Sequence, residues 1–192
     1  ASTYTGSVAV IRDGVLLAER DTAMRGVDEE RLMPAAADAL RDAGVAPNEI
    51  ERVVCGAGPG SFTSLRIAAA IAKGLALTAG APLVPVSSLT MIVAGARPAL
   101  AGGRYAAVLD AMRGDVFASV YTVTDAAIRT ESPTTIVPRA DLAAYAAVHS
   151  ARLVGPNEEQ IVLPHARGAV LLGSAIPWPD AADLATWEPD YG

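Results

Sequence analysis

The segment Gly56-Ala57-Gly58-Pro59-Gly60-Ser61 is the first place in this sequence where chemistry is conceivable. Glycines between a strand and a helix let backbone N–H groups face a phosphate, and the positive end of the helix adds to the attraction. The pattern is incomplete for either common use. A dinucleotide site asks for a third glycine where Ser61 stands and for an acidic residue about 20 positions further on, and neither is present. A P-loop asks for Gly-Lys-Ser/Thr, whereas the only lysine, Lys73, lies about three turns into the following helix. The same residues also read as a tight strand-to-helix connection with Ser61 or Thr63 capping, and chemistry alone favours that reading.

Other reactive residue types are sparse. His149 and His165 stand in unlike surroundings, without the spacing of a helical ligand pair or a compact zinc site. A nucleophile elbow centred on Ser61 would need glycines where Pro59 and Thr63 stand. Cys55 is embedded in a strand and reads as an inert core thiol. Asp110, Arg113, Gly114 and Asp115 form a polar corner between two strands, able to bind a ligand but more simply a turn with an ion pair.

The elements that would position these residues follow from periodicity and turn chemistry. Residues 7–12 and 15–19 flank Asp13-Gly14 and predict an antiparallel hairpin. Asp28, Glu29 and Glu30 place a cap and negative charge before Leu32, Ala36, Ala39, Leu40 and Ala43, a helical repeat that stops at Gly44. Residues 50–55 predict a buried strand, 61–79 a long alanine-rich helix ended by Gly80-Ala81-Pro82, 83–86 a strand, and Ser87-Ser88 the cap of a third helix. The first half thus reads β-β-α-β-α-β-α. Residues 98–103 read as a linker. Beyond it come strands over 105–109 and 116–123, a helix over 138–149, a short strand at 153–155 and a proline-rich remainder.

Composition bounds the answer. The 192 residues are 52% apolar and 19% charged, with 15 basic against 21 acidic side chains and a formal net charge of -6. These values predict a compact, mildly acidic globule that needs no disulfide or metal staple. The apolar share is inflated by alanine, and residues 67–86 are interrupted by Lys73, Gly74, Gly80, Pro82 and Pro85, so no membrane span is expected. One cysteine excludes a disulfide framework and suits a reducing compartment, with the cytoplasm as the default. The chain begins at Ala1 with no leader pattern, which suggests that a few native residues precede it. Basic residues are not clustered, so strong autonomous RNA binding is not expected.

Within the long helix, Leu65, Ala69, Ala72, Ala76 and Ala79 recur at alternating four and three spacing, a small-residue stripe suited to close packing or to a partner helix. Another face carries Arg66, Ala70 and Lys73. The candidate partner interface comprises Arg31, Leu32, Met33, Ala36 and Leu40 on the first helix, with Leu65, Arg66, Ala69, Ala72, Lys73 and Ala76 on the second.

From Gly58-Pro59-Gly60-Ser61-Phe62-Thr63 through Leu65-Arg66, and on through residues 72–77 to 85–89, the sequence resembles the bacterial TsaB (YeaZ) family. The resemblance extends to residues 6–9, 30–34, 109–117 and 188–191. It implies an α/β fold of two ribonuclease-H-like lobes, the architecture of actin, sugar kinases and heat-shock chaperone ATPases. The lobes are expected at 1–97, with the dimerisation helices, and 98–192, with the last residues returning to the first lobe. It also implies a function: a non-catalytic dimerisation subunit of the complex that puts a threonylcarbamoyl group on N6 of the adenosine beside the anticodon, in tRNAs reading codons that start with A. The implied partners are a second copy, a catalytic TsaD-like subunit and a TsaE-like ATPase, with tRNA met only through the complex. No metal or cofactor is expected on this chain, while the complex uses ATP and threonylcarbamoyl-adenylate. Three departures from the family stand out: Ser64 replaces a usual glycine, Asp28-Glu29 replace histidine-serine, and the opening strand with its aspartate is missing, which leaves nucleotide binding open. The alternatives, an actin-like small-molecule kinase or a metalloprotease-like enzyme, lack their residues, since the region around Asp28 to Leu32 holds no histidine.

Overall fold

The structure is a computed structural model that describes residues 2–24 and 30–191. Two strands, β1 (Thr5–Arg12) and β2 (Val15–Ala23), form the opening antiparallel hairpin around Asp13-Gly14. Helix α1 (Leu32–Ala43) follows. Asp28 and Glu29 lie outside the described residues, and the capping falls to Glu30, whose carboxylate accepts the N–H groups of Leu32 and Met33. At the far end Gly44, at φ +64°, closes the helix through bonds to the Arg41 and Leu40 carbonyls.

Strand β3 (Val53–Gly56) pairs in parallel with β4 (Leu83–Val86), and α2 (Phe62–Ala79) makes the crossover between them. The strand expected over 50–55 begins later, because Pro47–Glu49 form a 3-10 turn whose last bond takes Ile50. Helix α3 (Ser88–Gly95) is capped by Ser87, whose hydroxyl accepts from Leu89 N–H at 3.2 Å. The β-β-α-β-α-β-α order read from the sequence is the order observed.

The second half is built on β5 (Gly103–Met112) and β6 (Asp115–Val123), joined by a tight hairpin. The turn is shorter than expected, since β5 runs through Asp110 to Met112 with a bulge and leaves Arg113-Gly114 as its tip. The sheet continues with β7 (Ile128–Thr130) and β8 (Thr135–Pro138) on β6, then β9 (Arg152–Gly155) and β10 (Gln160–Ile161) beyond β5. The helix expected over 138–149 is a 3-10 turn, Arg139–Asp141, running into α4 (Leu142–Val148). The proline-rich remainder holds β10 and a 3-10 segment, Ala166–Leu171.

Strand alternation explains why this sheet is buried on both faces. Tyr105, Ala107 and Leu109 on β5, with Phe117, Tyr121 and Val123 on β6, pack with Leu89, Ile92 and Val93 of α3 and with Val84 and Val86 of β4. The intervening Val108, Val116 and Ala118 face Leu142 of α4 and Val137. A separate cluster joins Leu32 of α1, Val53 and Cys55 of β3, Leu83 of β4 and Ala68, Ala72 and Ala76 of α2. Helix α2 is long and apolar enough by composition to cross a membrane, with a mean hydropathy of 1.3, yet one of its faces is an integral part of this core.

Candidate functional site

The loop between β3 and α2 is held from four directions by the chain itself. Ala57 N–H donates to Val86 O at 2.8 Å, Ser88 N–H to Gly58 O at 2.8 Å, Ser61 N–H to Ser2 O at 2.8 Å, and Asp190 N–H to Ala57 O at 2.7 Å. Gly58 sits at φ +99°, and a Cβ there would land on the Asp190 carbonyl; at Gly60 it would land on that of Ser2. The N–H groups of Ala57 and Ser61, which a phosphate cradle would use, are therefore committed to backbone carbonyls. The loop acts as a tight connection. Its capping differs from expectation: Ser61 takes the N-cap position without a side-chain cap bond and accepts instead from the Ser64 hydroxyl at 3.1 Å. Phe62 is half exposed and lies against Tyr191, ring centroids 4.7 Å apart, with the Arg66 guanidinium over its ring at 5.1 Å. Thr63 is exposed.

The expected partner surface divides sharply by burial. Leu32, Ala36, Leu65, Ala69, Ala72 and Ala76 are all buried within this chain, so they are corrected from candidate surface to interior. The physical reason is size: alanine at this spacing lets α2 lie close to its own sheet, and its neighbours in the core are Leu32, Val53, Cys55 and Leu83. Arg31, Met33 and Arg66 remain exposed, with Leu40 and Lys73 half-buried. A depression of about 260 Å³ opens between α1 and α2, lined by Met33, Ala37, Leu40, Val45 and Leu75 among others. It is almost wholly apolar, and Met33 at its rim is 43% exposed. Leu77, 69% exposed, lies on the outward face of α2 with Arg66 and Ala70. Lys73 rests over the Trp187 ring at 5.8 Å.

The polar corner of the second half is a strained hairpin tip. Met112 and Arg113 take φ of +69° and +56°, and Asp110 Oδ1 accepts from Met112 N–H at 2.9 Å. Arg139 N–H bonds Gly114 O at 2.8 Å and ties the tip to β8. The expected ion pair is absent among the described residues, since Arg113 bridges to neither Asp110 nor Asp115.

A polar network that sequence reasoning missed lies where the 3-10 segment Ala166–Leu171 meets β1 and β2. His165 is buried, its Nε2 2.9 Å from Asp21 Oδ1, while its Nδ1 accepts from Arg167 N–H at 3.0 Å and Arg167 Nε–H at 2.9 Å. Arg167 also lies 3.2 Å from Glu19, which pairs with Arg97 at 2.7 Å, and Ala166 N–H donates to Ser7 Oγ at 2.9 Å. Burial, then the Arg167 charge, lowers the His165 pKa from its ordinary 6.5 despite Asp21. Glu19 and Asp21, two apart on a strand, share one side of it, the only local signal; His165 is too distant in sequence to give one. His149 stands apart, its ring 4.6 Å from Tyr145. Cys55 is buried and its thiol is pushed up to about 11 by desolvation, which leaves it little thiolate character. Among the described residues no three His, Cys, Asp or Glu side chains converge as a metal site requires.

Comparison with known proteins places this arrangement. Residues 28–166 match the family described as TsaD: tRNA N6-adenosine threonylcarbamoyltransferase. The chain is 35% identical over 120 residues to the tRNA threonylcarbamoyladenosine biosynthesis protein TsaB of Bacillus subtilis, covering 62% of this chain and 52% of that protein. It is 36% identical over 120 residues to the Escherichia coli protein of the same name, with the same coverage. The chain thus spans about half the length of the curated relatives it matches. The solved structure of YeaZ from Pseudomonas aeruginosa superposes with a TM-score of 0.76 at 26% identity, over 99% of this chain and 95% of that one. The fold is accordingly the actin-like, ribonuclease-H-like α/β architecture. With the motif residues Gly58 to Thr63 forming the connection into a helix packed by its alanine stripe, and with these relatives around it, the chain belongs to the TsaB/YeaZ family.

Proposed function

We propose that this chain is a non-catalytic, dimer-forming subunit of the machinery that transfers a threonylcarbamoyl group to N6 of the adenosine beside the anticodon, in tRNAs reading codons that start with A. Residues 1–97 and 98–192 are its two lobes, and its compartment is the cytoplasm. Its partners are a second copy of itself and a TsaD-like catalytic subunit, with a TsaE-like ATPase in the assembled complex and tRNA met only there. The observation that carries the reading, beside family membership, is the apolar depression between α1 and α2 with Met33 half exposed at its rim. Side chains such as Met33 and Leu75 around a concavity suit a facing helix, and polar lining is scarce. One surface for two partners makes the two contacts mutually exclusive.

Reconstitution is the direct test. This protein, a TsaD-like subunit, a TsaE-like ATPase, ATP and threonylcarbamoyl-adenylate are combined with unmodified tRNA, and modified adenosine is measured by mass spectrometry after digestion. Activity is expected only when the catalytic subunit is present and is expected to fall when this chain is left out. Turnover by this chain alone, or full turnover without it, would overturn the proposal.

A further inference from the structure

We infer that the cleft bounded by the start of α3, strand β7 and the segment after Ile176 binds a small uncharged amide attached to an apolar body. The cleft measures about 740 Å³, within the roughly 300–1,000 Å³ typical of small-molecule sites. Val86, Ile128 and Ile176 form its apolar wall. Pro85, Pro177 and Pro179 also line it, and their fixed φ keeps the wall in shape before anything binds. The C-terminal side is pinned as well, by Ile128 N–H on Ala175 O at 2.9 Å and by Arg52 stacked over Trp178 at 4.2 Å.

Side-chain hydroxyls enter this cleft from three elements. Thr90 Oγ1 of α3 and the Tyr121 hydroxyl of β6 lie 3.1 Å apart. Whichever of them donates to the other, the acceptor keeps its own proton, so the pair always offers one hydroxyl hydrogen to a third group. Thr130 of β7 brings the next hydroxyl, because it sits opposite Tyr121 in the β6–β7 register and residues paired across strands share a sheet face. That face is the one turned to α3, where Tyr121, Val123 and Ile128 pack with Leu89 and Ile92. Arg129 pairs instead with Thr122, so strand alternation sends its side chain to the other face. None of the other residues lining the cleft is charged at neutral pH. A charged ligand would therefore lose its hydration here without gaining a counter-charge. An amide matches the hydroxyls in both directions: its carbonyl accepts the spare proton of the Thr90–Tyr121 pair, its N–H donates to the Thr130 oxygen, and the apolar wall takes the attached body.

The test is a titration of the isotope-labelled protein followed by amide NMR. Benzamide is the probe, acetamide is the amide without a body, and benzoate is the same body with a charge in place of the amide. Saturable shifts centred on Thr90, Tyr121 and residues 128–130 are expected with benzamide, while acetamide and benzoate should each bind about tenfold more weakly or worse. Thr130→Val keeps the shape and removes one hydroxyl, and should weaken benzamide by about threefold to tenfold, the loss of a neutral hydrogen bond. Thr130 is exposed on its strand, so circular dichroism should stay native. Removing either member of the Thr90–Tyr121 pair alone would free the other to donate in its place, so the second variant is the double substitution Thr90→Val with Tyr121→Phe, with a loss of the same size. The inference is overturned by the lack of a saturable shift with benzamide, by shifts centred elsewhere, by equal binding of acetamide or of benzoate, or by unchanged affinity in the folded variants.

Discussion

His165 holds its place only as a neutral ring, because its Nδ1 faces both the backbone and the side-chain donors of Arg167 at 3.0 and 2.9 Å. The remaining proton is then on Nε2, directed at Asp21. Protonating Nδ1 would set donor against donor and bury a second positive charge beside the guanidinium. The consequence for stability has a definite sign. With the folded-state pKa held below the unfolded value of 6.5, the unfolded chain takes up protons first, so this contribution is complete at neutral pH and is lost as the pH falls through and below that value. Urea unfolding of the protein between about pH 7.5 and 5 should show a midpoint that falls with pH, and His165→Gln should flatten that dependence while lowering the midpoint at neutral pH. A variant with the same pH slope as the parent would show that His165 is not the group responsible. Beyond the spacing of Glu19 and Asp21 none of this was legible in the sequence, because His165 and Arg167 are joined to them across more than a hundred intervening residues.

At the level of elements, the order of strands and helices in the first half was fully legible, since each boundary had its own signal: Asp13-Gly14, Gly44, Gly80-Ala81-Pro82 and Ser87. The errors came where two local preferences competed. Residues 50–52 read as strand, but the 3-10 turn begun at Pro47 delays β3 to Val53. The stripe on α2 carried a sharper ambiguity. Periodicity identified Leu65, Ala69, Ala72 and Ala76 as one face, yet a small-residue face packs equally well on a sheet or on another subunit, and only the fold shows that it is internal. The loop feeding that helix gives a prediction of its own. Gly58→Ala would add a Cβ where the Asp190 carbonyl already lies, at a positive φ, and should destabilise the protein by about 2–4 kcal/mol in chemical denaturation. Gly74→Ala on the open side of α2, where nothing lies within reach of the new methyl, should instead be neutral or slightly stabilising.

For the whole molecule, the exposed and buried halves of the α1–α2 surface make a paired prediction. Ala37→Arg places a long charged side chain in the apolar depression from an exposed position, so the fold should survive while self-association and binding of the catalytic subunit are both lost, as read by light scattering and co-purification. Ala72→Arg, buried in the core, should instead unfold the protein, visible as lost circular dichroism. A folded Ala37→Arg protein that still pairs would move the interface elsewhere. The final residues tie the molecule together differently: Ala182 N–H donates to Leu83 O at 2.8 Å and Asp190 N–H to Ala57 O, with Trp187 and Leu184 packed against the α1–α2–β3 core. During synthesis, therefore, residues 1–97 leave the ribosome long before the segment that completes their hydrogen bonds exists. Until residue 190 has been added, the β3–α2 loop lacks one of its four anchors and the core between Leu32 and Leu83 stays partly uncovered, which makes this nascent half a client for whatever shields apolar surface as it emerges.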